Sequence, residues 1–121
     1  MSVRCFLFDE NVPLVIQTQL EQMGFSGTIY AVGDGVAPPK GTLDPEILIW
    51  IEAHNCLLIT NNRASMPIHL QDHLAQNHHI LGIIQLPKRM NIGRVLEDLI
   101  LIAEAGKPDE FQDQIVYLPL V

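Results

Sequence analysis

The chain alternates between short unbroken apolar runs and longer stretches in which apolar residues recur at helical spacing. Unbroken runs predict strands that are covered on both faces, and they occupy residues 5–8, 28–32, 56–60, 80–86 and, as a short edge strand, 115–118. Helical spacing predicts helices over residues 12–23, from residue 43 to a stop at Asn55, from 66 to about 76, and over 92–105. Alternation of strand and helix is typical of a parallel sheet with helices on both faces.

We therefore predict an α/β fold, a three-layer α/β/α sandwich with a mainly parallel sheet, formed by a single domain over residues 1–121. Its crossovers are expected to be right-handed. Ser65 and Asn91 are expected to cap the third and fourth helices, and Gly24 is expected to end the first. Residues 33–42, which are rich in glycine and proline, predict a long loop beside the edge of the sheet.

Acidic residues follow the first predicted strand and begin the second predicted helix. Asp9 and Glu10 come directly after the strand, and Asp44 and Glu46 lie in the first turn of the helix. Carboxylates that are brought together repel one another unless a cation lies among them, and oxygen ligands suit Mg²⁺ or Mn²⁺. Two such ions can activate a water and stabilise the leaving oxygen in phosphodiester hydrolysis.

These acidic residues also have an ordinary structural explanation. Asp44 and Glu46 are favourable at a helix start, where negative charge interacts well with the helix dipole. Asp9 is harder to explain in this way, because a charged group directly after a buried strand costs free energy unless a partner offsets it. It also lies where open parallel sheets bind ligands, beyond the carboxyl end of a strand. Asp9 is therefore the strongest single candidate for a functional residue.

Polar residues follow the third predicted strand as well, in the order Thr60, Asn61, Asn62 and Arg63. As after the first strand, polar residues directly follow an apolar run, but here they include amides instead of acids. Functionally they would supply a hydroxyl, an amide oxygen ligand and a cation that holds phosphate. The alternative is a strand-to-helix loop that is rich in turn-forming residues.

Two histidines, His69 and His73, lie four residues apart on the third predicted helix and share one face. A pair with this spacing can bind zinc. No third ligand is evident from the sequence, although Asp72, His78 and His79 are close along the chain. A solvated polar helix face is the alternative interpretation.

Charge and composition narrow the classes of function. The net charge of −7 argues against broad, non-specific nucleic-acid binding, but an acidic site can still contact nucleic acid through a metal. No apolar run approaches the ~20 residues that span a bilayer, and no signal peptide is evident, so we expect a cytoplasmic protein without membrane contact. Cys5 and Cys56 are expected to be buried free thiols in that reducing compartment.

The order of these motifs resembles the PIN-like superfamily, and more closely its small bacterial members that begin with a Phe-Leu-x-Asp-Glu-Asn strand end. The matching pieces cover the first half to two thirds of the chain, namely residues 6–13 (FLFDENVP), 24–25 (GF), 43–47 (LDPEI) and 57–62 (LLITNN). The resemblance implies a Rossmann-like sheet, a Mg²⁺ or Mn²⁺ site and RNA cleavage. Some relatives are toxins that are paired with an antitoxin.

The resemblance also assigns roles to individual positions. Asp9 corresponds to the metal ligand of the first strand, Asp44 to the acidic residue of the second helix, and Asn62 to a position that usually holds aspartate. The chain departs from the family pattern here, because Thr-x-Asp-x-Asp-Phe is replaced by residues 60–65 with the sequence TNNRAS. Amides bind Mg²⁺ more weakly than carboxylates and do not offset its charge. Glu10, Glu46 or Asp72 are alternatives that would complete the site.

The leading hypothesis is a PIN-like, Mg²⁺- or Mn²⁺-dependent ribonuclease with a degraded acidic site, which would be a toxin if it is paired with an antitoxin. The predicted metal ligands are Asp9, Asp44, Asn62 and Glu10, and the predicted phosphate contacts are Thr60 and Arg63. The alternative is a catalytically inactive PIN-like interaction or regulatory module, which the missing carboxylates and the net charge of −7 favour. The expected partners are RNA for an active enzyme, an antitoxin-like protein and a second copy of the chain.

Overall fold

A computed structural model describes residues 4–107 and 109–120, and these residues form five strands and four helices. The strands are β1 (Cys5–Phe8), β2 (Thr28–Ala31), β3 (Leu57–Thr60), β4 (Ile83–Gln85) and β5 (Ile115–Tyr117). The helices are α1 (Leu14–Gln22), α2 (Asp44–His54), α3 (Met66–Ala75) and α4 (Ile92–Ala105). Every predicted element is present, and β4 is the one that is most shortened from its predicted range. Within the described residues, each helix is too short or too polar to cross a membrane.

All five strands are parallel and lie in the order β2-β1-β3-β4-β5. Helices cover both faces, which confirms the three-layer α/β/α fold. The chain first adds β2 on one side of β1 and then returns to add β3 on the other side, so the strand order reverses between β1 and β3. In open α/β sheets, ligands bind at such a switch point, in the crevice outside the carboxyl ends of the strands. The residues that follow Phe8 and Thr60 border this crevice.

Side chains alternate between the two faces of the sheet and build two cores. Phe6 and Phe8 pack with α1 and α4 on one face. Leu7, which lies between them, packs with α2 and α3 on the other face. The sheet is therefore covered on both sides at β1 and β3, which gives the switch point a rigid base.

One crossover departs from the predicted hand. The β1–α1–β2 and β4–α4–β5 connections run in opposite directions along the sheet, yet α1 and α4 cover the same face. Two parallel crossovers with that arrangement have opposite hands. The connections through α2 and α3 run towards β5 on the other face and share the hand of the first. Among the described elements only β4–α4–β5 has the opposite hand, so the prediction of uniformly right-handed crossovers is wrong.

Contacts of α4 explain how the unusual crossover is held. The buried carboxylate of Asp98 accepts a hydrogen bond from the Leu120 N–H (3.1 Å) and another from Arg94 Nε (3.2 Å). Arg94 also donates to the Leu120 carbonyl oxygen. These polar contacts attach the segment after β5 to α4, while the apolar face of α4 packs in the same core as α1.

The predicted helix ends are correct at three positions and wrong at one. Asn91 caps α4 by accepting the Arg94 N–H (3.1 Å), Gly24 follows α1 with φ +84°, and Asn55 ends α2 in the left-handed conformation. Ser65 precedes α3, but its side chain makes no cap hydrogen bond. Its hydroxyl is turned towards the switch point instead.

Cys5 and Cys56 are joined by a disulfide, so the prediction of two free thiols is wrong. The residues that follow them, Phe6 and Leu57, are paired in β1 and β3, which brings the cysteines side by side at the start of adjacent strands. Their Cα atoms are 4.6 Å apart, within the range that a disulfide spans. The cytoplasmic location, whose reducing conditions were expected to keep these thiols free, stays a prediction.

Candidate functional site

Asp9 lies directly after β1 at the switch point, and its side chain is buried. Its Oδ2 accepts a hydrogen bond from the Thr60 hydroxyl at the end of β3 (2.8 Å), and its Oδ1 accepts one from the Glu10 backbone N–H (2.9 Å). The Asp9 N–H donates to the Ile59 carbonyl oxygen (3.0 Å) and so extends the pairing of the two strands. The register of the parallel sheet therefore brings the carboxylate and the hydroxyl together.

Burial raises the pKa of the Asp9 carboxyl above its usual value, because the charged form loses contact with water. The hydrogen bonds from Thr60 and from the Glu10 N–H lower the pKa, but the net shift is upward. The negative charges of Asp44 and Glu10 raise it further. A cation beside Asp9 would therefore stabilise its ionised form.

Asn62 links Asp44 to the same site. Its Nδ2 donates to Asp44 Oδ2 (2.7 Å), and its backbone N–H donates to the Thr60 hydroxyl oxygen (3.1 Å). The Ser65 N–H donates to Asn62 Oδ1 (3.3 Å), which assigns the two ends of the amide. Hydrogen bonds thus run continuously from Asp9 through Thr60 and Asn62 to Asp44, and we call these four residues the switch-point cluster.

Two further side chains contact the cluster and were not predicted as part of this site. The Ser65 hydroxyl lies 3.5 Å from Asp44 Oδ2, and His69 Nε2 lies 3.6 Å from the same oxygen. From the sequence, Ser65 was predicted to cap a helix and His69 to pair with His73 in zinc binding. Neither prediction includes the packing of α2 against α3, which is what brings Ser65 and His69 to Asp44.

The other predicted site residues point elsewhere. Glu10 is exposed, and its Oε1 accepts the Gly41 N–H of the long loop (3.2 Å). Arg63 Nη2 donates to the Leu86 carbonyl oxygen (3.0 Å), and its guanidinium lies 5.8 Å from the centre of the Tyr117 ring. Both residues stay at the carboxyl edge of the sheet, but neither side chain joins the hydrogen bonds of the switch-point cluster.

Glu46 and Asp72, the alternatives that would complete a metal site, are both exposed. Glu46 lies in the first turn of α2 and Asp72 near the middle of α3. Among the described residues, neither carboxylate makes a hydrogen bond to the switch-point cluster.

Asp9 borders an open groove of about 200 Å³ between the start of α1, the end of β2 and the long loop. Asp34 and Lys40 from that loop also line the groove. Lys40 is exposed and brings a positive charge to a wall whose other charged residues are acidic. Lys40 could not be predicted as part of the site, because it lies in a loop whose path depends on packing against β2.

The side chains present fit a hard divalent cation. The carboxylates of Asp9 and Asp44 keep lone pairs beyond those used in the hydrogen bonds described above. Mg²⁺ commonly binds one or two carboxylates and completes its shell with water. Asn62 supports Asp44 through its NH₂ group, and its oxygen is engaged by the Ser65 N–H. A metal here would therefore have Asp9 and Asp44 as its protein ligands.

The predicted histidine pair is divided between two carboxylates. His69 Nε2 lies near Asp44 Oδ2, whereas His73 Nε2 lies 2.9 Å from Glu52 Oε1. His78 Nδ1 lies 3.1 Å from the same Glu52 oxygen. His73 is thus grouped with His78 and Glu52, not with His69.

Comparison with known proteins gave no match, either to a family model or to a curated protein or solved structure. The PIN-like resemblance therefore depends on the sequence motifs and stays a prediction.

Proposed function

We propose that this chain is a PIN-like protein that binds Mg²⁺ or Mn²⁺ between Asp9 and Asp44 and hydrolyses RNA phosphodiesters. The observation that carries this proposal is the convergence of two carboxylates from different elements at the switch point, linked through Thr60 and Asn62. Burial raises the pKa of Asp9 and the charge of Asp44 raises it further, and a divalent cation would offset both effects. When bound, the metal would activate water and stabilise the leaving oxygen.

The protein's own residues orient this site and bind the substrate. Thr60 fixes the direction of the Asp9 carboxylate, and Asn62 fixes that of Asp44. Lys40 lies on the β2 side of Asp9 and Arg63 on the β4 side. An RNA strand that crosses the carboxyl edge of the sheet would therefore meet one cation on each side of the cleaved bond. Phosphate neutralisation by so few cations predicts weak binding that depends mainly on the metal.

A specific observation favours a second function, a catalytically inactive PIN-like interaction module. Asn62 donates to Asp44 at 2.7 Å, so a neutral amide already satisfies a carboxylate where the PIN-like pattern has a further acid. This arrangement needs no cation to hold Asp44. In the inactive module, the switch-point cluster stabilises the fold and the protein acts through a partner.

Exposed apolar side chains near the site support a protein partner in either case. Leu14, Val36 and Leu43 are each at least two-thirds exposed. Leu14 lines the groove beside Asp9, Val36 belongs to the long loop, and Leu43 precedes Asp44. An antitoxin-like protein or a second copy of the chain that covered these residues would also block the groove.

We propose a cytoplasmic location, as expected for a toxin-type ribonuclease.

Calorimetric titration with Mn²⁺ tests the metal site. The wild type is compared with Asp9→Asn and Asp44→Asn, with Asp109→Asn as a matched control because Asp109 is an exposed aspartate away from the cluster. We expect one site in the wild type and in the control, and no binding in the other two variants. Absence of Mn²⁺ binding to the wild type at millimolar concentrations would overturn both the metal site and the enzyme.

Cleavage of a fluorescent single-stranded RNA, with Mn²⁺ and with chelator, separates the two functions. Metal-dependent cleavage that is lost in Asp9→Asn and Asp44→Asn supports the ribonuclease. Metal binding without cleavage, over a panel of RNA sequences, supports the inactive module. Cleavage that persists in both variants would assign the activity to a contaminant and contradict the proposal.

A further inference from the structure

Glu52, His73 and His78 converge far from the switch-point cluster. Glu52 belongs to α2, His73 to the last turn of α3, and His78 to the segment between α3 and β4. The α2 helix begins at Asp44, beside the carboxyl edge of the sheet, and Glu52 follows eight residues later, about 12 Å along the helix axis. The two clusters are therefore separate sites on the same helical layer.

We propose that Glu52, His73 and His78 form a zinc site that is independent of the switch-point cluster. One ligand atom from each residue is available, and these three atoms all lie within 4.8 Å of one another. His73 Nε2 and His78 Nδ1 approach the same Glu52 oxygen at 2.9 and 3.1 Å. Two imidazoles and one carboxylate are a ligand set that binds zinc with a fourth position open.

The distances are close to those that a bound zinc ion requires. Zinc–nitrogen and zinc–oxygen bonds are about 2.0–2.2 Å long, so neighbouring ligands of a tetrahedral site are about 3.4 Å apart. The two separations at Glu52 are within about half an ångström of that value. The ligand nitrogens of His73 and His78 lie within 4.8 Å of each other, so insertion of the ion requires side-chain rotations that adjust all three separations.

The backbone after α3 explains why His78 returns to His73. Asn77 adopts the left-handed conformation with φ +65°, which reverses the chain after the helix. The His78 N–H then donates to the His73 carbonyl oxygen (3.3 Å), and the two imidazole rings stack with centres 4.7 Å apart. Four residues separate the histidines, a spacing found in known zinc sites.

A second layer of hydrogen bonds orients the carboxylate. The His79 backbone N–H lies 3.5 Å from Glu52 Oε2, the oxygen that the two imidazoles leave free. The His79 ring is bound by Asp113 (2.8 Å), and the same carboxylate accepts the Ile80 N–H (2.8 Å). Partners of this kind fix ligand orientation in metal sites and strengthen metal binding. Because its ring is engaged by Asp113, His79 supports the site rather than serving as a ligand.

The site is accessible on one side and held firmly on the other. His73 is buried, whereas Glu52 and His78 are partly exposed. An open groove of about 310 Å³ has Glu52 and His79 in its wall. Of the three proposed ligands, Glu52 lines this groove, and the partial exposure of Glu52 and His78 leaves the site open to solvent.

Titration of the metal-stripped protein with Zn²⁺, followed by calorimetry, tests the proposal. His78→Gln is the main variant because His78 is partly exposed and its loss leaves the core intact. His54→Gln is the matched control, since His54 is an exposed histidine of α2 whose Nδ1 lies 2.8 Å from the Trp50 carbonyl oxygen and takes no part in the zinc site. Asp9→Asn serves as the background that removes zinc binding at the switch-point cluster.

We expect one zinc ion per chain at this site in the wild type, in Asp9→Asn and in His54→Gln. His78→Gln should weaken binding by at least ~100-fold, because loss of an outer partner alone costs about 10–100-fold. Co²⁺ in place of zinc should give the intense visible absorption of a tetrahedral site with histidine ligands, and this spectrum should be absent in His78→Gln.

Three results would overturn the zinc site. The first is no Zn²⁺ binding at millimolar concentration. The second is binding that disappears in Asp9→Asn but persists in His78→Gln, which would assign the ion to the switch-point cluster. The third is equal loss of affinity in His54→Gln and His78→Gln. None of these results bears on Mn²⁺ binding by Asp9 and Asp44, so the two proposals fail independently.

Discussion

The Thr60 hydroxyl donates to Asp9 Oδ2 over 2.8 Å, across the gap between the carboxyl ends of β3 and β1. The two residues are 51 positions apart in sequence, and both are buried. The same hydroxyl oxygen accepts a hydrogen bond from the Asn62 N–H (3.1 Å). Thr60 therefore connects Asp9 to Asn62, whose side-chain amide binds Asp44. Thr60 is therefore the centre of the switch-point cluster, whether or not a metal binds there.

Replacement of Thr60 by valine should destabilise the protein although the shape of the side chain is kept. Asp9 Oδ2 loses its donor and the Asn62 N–H loses its acceptor, and leaving such buried groups unpaired costs about 1–3 kcal/mol. Urea denaturation at pH 7 in chelator measures the change. Thr18→Val, at an exposed position on α1, is the control and should stay within about 0.5 kcal/mol of wild type. Equal stability of the two variants would contradict the role given to Thr60.

Asp9 should make the stability of the metal-free protein depend on pH. Burial raises its pKa in the folded state, so its contribution to stability is fully present below the unfolded pKa and is lost as the pH rises through the folded pKa. Asn cannot ionise, so Asp9→Asn removes this loss of stability at higher pH. We therefore expect Asp9→Asn to be more stable than wild type at pH 7, with the difference shrinking as the pH falls towards 4. A difference that is constant with pH, measured by thermal unfolding in chelator, would show that Asp9 titrates normally.

The sequence predicted that Asp9 and Thr60 would lie at the same edge of the sheet, but it assigned Thr60 to a phosphate contact and not to a hydrogen bond with Asp9. Each residue follows an unbroken apolar run, and parallel strands place their carboxyl ends at one edge of the sheet. The order of strands and helices followed from the same pattern, and α4 has its predicted bounds from Ile92 to Ala105. The direction of the Asn62 amide could not be predicted, because it depends on the Ser65 N–H and on how closely α2 approaches α3.

Other features depend on packing between elements that are distant in sequence. Helical spacing suggested His69 as the partner of His73, but the contact of α2 with α3 gives each histidine a different carboxylate. The disulfide between Cys5 and Cys56 depends on the register of β1 against β3, which an unbroken apolar run leaves undetermined. A fully buried strand lacks the polar face that would otherwise fix its register.

Removal of the disulfide should lower stability without changing the fold. Cys5 and Cys56 are separated by 51 residues, and a crosslink across a loop of that size restricts the unfolded chain. The double variant Cys5→Ala/Cys56→Ala should lose about 2–4 kcal/mol in urea denaturation. Reductant should destabilise the wild type in the same way and leave the double variant unchanged. Two reactive thiols per chain in unfolded, non-reduced protein would show that the crosslink does not form in solution.

Asn62→Asp tests whether the amide is what weakens the metal site. The variant replaces the NH₂ group that donates to Asp44 at 2.7 Å with a second carboxylate. Without metal the two negative charges repel each other, so the variant should unfold at a lower temperature than wild type in chelator. With Mn²⁺ the added carboxylate should raise affinity. Because a ligand that binds only the folded state stabilises it according to its affinity, Mn²⁺ should raise the melting temperature more in the variant than in wild type.

Asn61→Asp is the matched control for this experiment, because its side chain bonds to the Asn11 carbonyl oxygen and lies outside the switch-point cluster. It should show neither the loss in chelator nor the larger gain with Mn²⁺. If Mn²⁺ stabilises Asn62→Asp no more than wild type, no metal lies between Asp9 and Asp44. If Asn62→Asp cleaves RNA with Mn²⁺ and the wild type does not, the amide accounts for the loss of activity, and the natural protein acts as the inactive module.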